Sequence, residues 1–138
     1  MIGLDTNVLA RYYIDDDADP EAQKQRAAAR RLIESGQPLM VCESVILELE
    51  WVMRGYYSFV PTQVTSVLRH LLEQAHITVE DRTSVEQALS NCGAGLDFAD
   101  ALHHASYRSC ASVASFDDRK FARRAKKLGM TPAVVVLS

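Results

Sequence analysis

Residues 1–13, MIGLDTNVLARYY, pose the question that decides the fold. Ile2, Gly3 and Leu4 read as a short buried strand, Asp5-Thr6-Asn7 as a polar break, and Val8-Leu9-Ala10 as part of a helix over about residues 7–14. An acid closing a buried strand needs a reason, because an unpaired buried carboxylate costs several kcal/mol or is driven neutral. One reason is local, since Asp and Asn favour the N-cap of a helix. The other is functional: in parallel α/β sheets, ligands bind beyond the carboxyl ends of the strands.

Outward from this stretch the same alternation repeats. Residues 39–42, 77–79, 112–114 and 133–137 are brief apolar strands. Helices are expected over 20–35 (Asp19 as cap, Pro20 in the first position), 44–54 (Ser44 as cap), 62–75, 84–90, 97–107 and 118–128, the last stopped by Gly129. Short apolar strands alternating with helices, with no hairpin signals, predict an α/β fold. The expectation is a single domain over residues 1–138, with a short central parallel β-sheet flanked by helices on both faces. The run Asp15-Asp16-Asp17-Ala18-Asp19 lacks the ligand spacing and glycine of an EF-hand loop and reads as a solvated loop.

Composition narrows the function classes. The 138 residues are 48% hydrophobic and 24% charged, an ordinary globular balance. No apolar run reaches the length of a membrane span, and no basic region followed by an apolar core opens the chain, so a cytoplasmic location and no membrane partner are expected. Cys42, Cys92 and Cys110 form no C-x-x-C pair and read as reduced, mostly buried small hydrophobes. A net charge of −3 gives no global positive field, so a nucleic-acid partner must be held by a local patch or through a metal.

Several acids stand out. On the helix over 44–54, Glu50 and Arg54 form an i,i+4 pair and read as surface, whereas Glu48 points the other way, among Ser44, Val45, Trp51 and Val52, with no charge partner on its helix. Asp97 is placed to cap the next-to-last helix, and Asp100 falls in its first turn, where an acid favours the helix dipole. Asp100 shares a face with Asp97, His104 and Tyr107; His103 and His104 read as surface or cleft-rim residues rather than metal ligands. Of Asp117-Asp118, Asp118 is the expected cap, which leaves Asp117 at the end of its strand. Ser115 sits two residues before Asp117, as Thr6 follows Asp5.

If Asp5, Glu48, Asp100 and Asp117 converge, they need cations, since two like charges roughly 4 Å apart repel by about 4 kcal/mol at an effective dielectric near 20. An all-oxygen anionic ligand set suits Mg²⁺ or Mn²⁺ rather than zinc, and the matching chemistry is metal-assisted phosphodiester hydrolysis.

Gly3-Leu4-Asp5-Thr6-Asn7-Val8-Leu9, Glu48 within residues 46–52, Phe98-Ala99-Asp100-Ala101-Leu102-His103 and Ser115-Phe116-Asp117 together resemble the PIN-domain nucleases, and within them the VapC-type toxins of toxin–antitoxin pairs. The resemblance extends from Ile2 to the final strand. It implies Asp5, Glu48, Asp100 and Asp117 as the catalytic and metal-binding acids, Asp97 as an additional metal ligand, and Thr6, Asn7 and Ser115 as supporting residues. Ser115 stands where the family commonly has threonine, which keeps the hydroxyl. The implied activity is a Mg²⁺- or Mn²⁺-dependent endoribonuclease, often a homodimer, neutralised by a small antitoxin protein.

Lys120, Arg123, Arg124 and Lys127 form a basic stripe at helical spacing that fits either a solvated helix face or a grip on the RNA backbone. Tyr12, Tyr13, Trp51, Met53, Tyr56, Tyr57 and Phe59 fit either core or a dimer or antitoxin contact. Rival readings are a housekeeping RNA-processing nuclease without antitoxin and a metal-free PIN-like module that binds RNA or protein. Phosphatase chemistry through an aspartate nucleophile wants a second acid two residues on, where this chain has Asn7.

Overall fold

In the computed structural model, which describes residues 1–138, the opening strand is Ile2–Gly3 (β1). It runs parallel to Leu39–Val41 (β2), which pairs in parallel with Ile77–Val79 (β3), giving a three-stranded sheet in the order β1-β2-β3. The central position of β2 explains its burial: Leu39 and Val41 are fully covered. The expected burial of residues 2–4 holds for Leu4 alone. As an edge strand, β1 has a neighbour on one side only, and Ile2 remains 42% exposed.

The strands connect through helices, as parallel pairing requires. Thr6–Tyr13 (α1) and Pro20–Ile33 (α2) lie between β1 and β2; Asp19 caps α2, accepting from the Glu21 N–H at 3.0 Å. Glu43–Trp51 (α3), extended by a π-helical turn over Val52–Tyr56, and Pro61–Glu73 (α4) lie between β2 and β3. Helix α3 starts before the expected cap. Cys42 leaves β2 in an extended conformation straight into the helix, and the Ser44 hydroxyl lies 3.2 Å from Cys42 Sγ instead of capping. Leu9, Ile46, Leu49, Met53, Leu68 and Leu71 fill the core of this unit, Met1–Asp81.

Arg82–Ser138 form a second compact unit. Arg82–Gly93 (α5) packs on Phe98–Ser106 (α6) through Val85, Ala88, Leu89, Ala101, Leu102 and Ala105. Helix α5 outruns its expected end; the reversal falls at Gly95, whose φ of +111° favours glycine. Ser112–Ser115 (β4) then pairs in parallel with Ala133–Val136 (β5), with a π-helical turn over Asp118–Ala122 and Arg123–Lys127 (α7) between them.

The α/β class and the wholly parallel pairing are as expected, with the strands divided between a three-stranded and a two-stranded sheet. No disulfide joins the cysteines, but the expectation of burial is corrected: Cys42 and Cys92 are half-buried and Cys110 is exposed. No helix is long and apolar enough to cross a membrane.

Candidate active site

In the first unit, the Leu4 N–H donates to the Met40 carbonyl at 2.9 Å, the last sheet contact of this segment before the chain turns into α1. Asp5 occupies that turn at the carboxyl end of β1 and caps α1, its Oδ1 accepting from the Thr6 N–H at 2.8 Å. It is exposed, so the cost of a buried carboxylate does not arise. Thr6 lies beneath it, 8% exposed, with Oγ1 buried and making no hydrogen bond. Asp5, Thr6, Asn7 and Glu48 line one crevice of about 490 Å³.

Helix α3 corrects the assignment of the two glutamates. Its buried face is Val45, Ile46, Leu49, Glu50 and, in the following turn, Met53, while Ser44, Glu48 and Trp51 point outward. Glu50, expected at the surface, is 5% exposed, and both its carboxylate oxygens accept from Arg54 Nε, at 2.9 and 3.2 Å. Glu48, expected on the apolar face, is exposed. The physical reason is that Trp51, which makes the flank of Glu48 look apolar in sequence, is itself open to solvent. Glu50 meanwhile tolerates burial because an arginine one turn away, more than half exposed, carries its counter-charge to the surface.

The same crevice holds residues that motif reasoning missed: Arg11, Asp16, Asp19, Tyr56 and Tyr57. Arg11 lies four residues after Asn7 on α1, so helical spacing could have found it. Asp16 and Asp19 carry no such signal, since only the path of the α1–α2 connection brings them there. The supposedly solvated loop is thus partly a crevice wall; Asp16 Oδ2 accepts from the Tyr57 hydroxyl at 3.5 Å, and Asp15 pairs with Arg26 at 2.8 Å. Of the rest of that cluster, Met53 is core, and Tyr12, Tyr13, Tyr57 and Phe59 are half-buried.

In the second unit, Asp97 caps α6 by accepting from the Ala99 N–H at 3.0 Å. Asp100, one turn on, is half-buried. Burial raises its carboxyl above the usual aspartate range, with further upward pressure from the charges of Asp97 and Asp117; His103 and Arg124 pull the other way. Asp117, not Asp118, is the cap of the following turn, because the backbone is still extended at 117 and turns only at 118. Asp117 Oδ1 accepts from the Lys120 N–H at 2.9 Å, and that bond chiefly holds its carboxyl below the usual range. The Asp117 N–H donates to Ser115 Oγ at 3.0 Å, so this hydroxyl fixes the backbone that aims the acid.

Two further expectations change here. His104 is fully buried rather than at a rim: its Nε2–H donates to the Pro132 carbonyl at 2.7 Å, and its ring meets Phe121 edge-on. A satisfied imidazole N–H lets it join Ala101 and Ala105 on the buried face of α6. The basic stripe also divides. Lys120, Arg123, Arg124 and Lys127 are all exposed, but the π-helical turn is wider than an α-turn and breaks the spacing. The charge of Lys120 acts on Asp117 and that of Arg124 on Asp100. Arg123 instead lines a groove of about 690 Å³ with Lys126, Met130 and Val134.

Within neither unit are three His, Cys, Asp or Glu side chains gathered closely enough to form a metal site on their own. The donor chemistry nevertheless fits a hard divalent cation, being all carboxylate oxygen, and the mutual repulsion that raises Asp100 is what such a cation relieves.

These features define a parallel α/β protein with exposed carboxylates at the carboxyl ends of its strands. The chain matches the PIN-domain family model over residues 2–127 and belongs to the PIN-domain family. PIN domains are in general metal-dependent nucleases acting on RNA, so this is a nuclease fold. No curated protein matches the chain.

Proposed function

We propose that the chain is a Mg²⁺- or Mn²⁺-dependent endoribonuclease, the toxin of a toxin–antitoxin pair, acting in the cytoplasm as a homodimer and held in check by a small antitoxin protein. The observation that carries the nuclease reading is the placement of Asp5 just beyond β1 and Asp117 just beyond β4 in a PIN-domain chain, where parallel sheets put their ligand sites. The toxin assignment rests on the motif resemblance around Asp5, Glu48, Asp100 and Asp117.

Asp5 and Glu48 in the first unit, and Asp97, Asp100 and Asp117 in the second, are the proposed ligands of divalent ions. When bound, such an ion neutralises phosphate charge and acidifies water for attack on phosphorus. The chain's own contribution is orientation. The Thr6 N–H holds one oxygen of Asp5, the Lys120 N–H holds one of Asp117, and Ser115 fixes the backbone behind it. Burial and the charges of Asp97 and Asp117 raise the Asp100 carboxyl, an upward pressure that a bound cation would relieve. Lys120 and Arg124, whose charges act on Asp117 and Asp100, are the proposed contacts to phosphate oxygens.

The test is incubation of the purified protein with total cellular RNA, with Mg²⁺ and with EDTA, followed by sequencing of the cut ends. Cleavage that needs the metal is expected; undiminished cleavage in chelator sinks the metal-dependent reading. For the toxin role, expression without a partner should arrest growth and Asp5→Asn should relieve the arrest. Equal toxicity of the two proteins refutes Asp5 as a catalytic residue. A metal-free module that binds RNA or protein is the second reading. RNA binding without any cleavage in Mg²⁺ or Mn²⁺ decides for it.

A further inference from the structure

The crevice of the first unit holds residues that the proposed chemistry leaves unused. Trp51 and Tyr56 line it and are 59% and 74% exposed. The Trp51 indole lies over its own helix at Gly55, where a Cβ would stand 3.6 Å from Cε2 and 3.7 Å from Nε1. One side of the ring is thus backed by the chain, while more than half of the residue faces solvent. Arg11 is the one cation of the lining. Its Nε donates to Gln25 Oε1 at 2.9 Å and an Nη to the Tyr57 hydroxyl at 3.4 Å, both neutral acceptors, and no carboxylate stands within 4.0 Å of it. A guanidinium has five donors, so charge and donors remain for a ligand.

We infer that this crevice seats one unpaired nucleotide of an RNA strand, with Trp51 as the platform for its base and Arg11 as the contact to its phosphate; the inference rests on the nuclease reading and adds two binding residues to it. The mixture of groups selects this occupant. A basic side chain would suit Asp5, Glu48 and the indole but would meet Arg11. An acidic peptide would suit Arg11 but would bring several anions against Asp5, Asp16, Asp19 and Glu48 and no base face for the indole. A nucleotide satisfies both: a neutral ring face and exocyclic amino groups for the aromatic and acidic wall, and an anion for the guanidinium. A duplex keeps its base faces stacked and offers none to Trp51.

Trp51 is the chain's only tryptophan, so its fluorescence reports directly on the stack. The wild-type chain, in EDTA and in Ca²⁺, is titrated with a short single-stranded oligoribonucleotide and with the duplex of the same sequence. Quenching by the single strand in either buffer, and not by the duplex, is expected. In anisotropy titrations with labelled RNA, Trp51→Leu should weaken binding about 5- to 160-fold, the range for losing one base–aromatic stack, and Trp51→Tyr should retain most of it. Arg11→Gln should lower the slope of log affinity against log salt by about 0.7, as for one lost phosphate contact, and Arg11→Lys should restore it. Thermal melting checks that each variant is folded. Equal quenching by the duplex, or wild-type binding by Trp51→Leu, overturns the inference. If Trp51→Leu instead alters sedimentation of the chain and leaves RNA binding intact, the patch docks protein and the inference falls. Cleavage of total RNA is measured alongside: cleavage without quenching sinks the stacked nucleotide alone, and loss of both sinks the nuclease reading with it.

Discussion

In the first unit, Asp5 and Glu48 stand exposed on the wall of a crevice that also carries a cation, Arg11, and two open aromatic faces, Trp51 and Tyr56. In the second, Asp97, Asp100 and Asp117 are close enough to feel one another, and their neighbours split them: Asp100 is raised by burial and by the other two, while Asp117 is lowered by the backbone N–H of Lys120. The difference teaches where a carboxylate is cheap. At the cap, the carboxylate accepts from the free N–H groups that follow it; within the first turn but half-buried, an acid has the helix dipole in its favour and is still raised by its burial. Asp5, Asp97 and Asp117 take the first solution, Asp100 the second. Glu48 has water.

The sharpest way to break this comparison is to remove one acid from each unit. Glu48→Gln and Asp100→Asn should each lower RNA cleavage at least about a hundredfold, since metal-assisted charge stabilisation is worth several kcal/mol. If one unit's variant leaves cleavage intact, that unit's acids are not part of the chemistry.

Glu50→Gln should do the reverse of Glu48→Gln. Losing a buried charge-assisted bond to Arg54 should cost about 1.5–3 kcal/mol of stability while leaving cleavage per folded molecule unchanged. Chemical denaturation and cleavage rates for the two variants check this. A dead enzyme from Glu50→Gln and a silent change from Glu48→Gln would mean that the outward face of α3 is misassigned.

Within the second unit the two aspartates should respond to pH with opposite signs when no divalent ion is present. Asp100 is raised in the folded chain, so its ionisation costs stability as pH climbs from the usual aspartate range through its own higher value. Asp100→Asn should therefore melt higher than wild type at neutral pH, with the gain shrinking in acid. Asp117 is lowered, so its contribution is present at neutral pH and is lost as pH falls below the usual range; Asp117→Asn should melt lower at neutral pH. Melting curves from acid to neutral pH in EDTA measure both. Two shifts of the same sign would contradict the contrast between burial and backbone N–H groups.

The smallest effect concerns the divided basic residues. Arg124→Ala should flatten the salt dependence of RNA binding by about 0.7 in slope, as for one lost contact, whereas Arg123→Ala, on the groove with Lys126, should change it less. Equal slopes for both variants restore a single undivided stripe.

How much of this was legible before folding follows from which signals are local. The parallel α/β class, Asp19 and Asp97 as caps, and Asp5 at the end of its strand follow from side-chain periodicity and from N–H groups one or two residues away. Asp117 against Asp118 failed because a cap is set by the residue at which the backbone stops being extended, and the composition of two adjacent aspartates does not encode it. Glu48 against Glu50 failed for a tertiary reason: α3 rotates to bury the face with Val45, Ile46 and Leu49, and it carries Glu50 inside because Arg54 reaches water with its charge. His104 went inward for the sake of a carbonyl at Pro132, 28 residues away. Asp16 and Asp19 joined Asp5 only through the path of a connection. The sequence by itself determined which residues carry charge, which ends of helices want acids, and that the strands run parallel, since these depend on neighbours along the chain. Which face of each helix meets solvent, and which acids keep company with Arg11 and Trp51, was decided by packing, because burial is a property of partners that only the folded chain brings together.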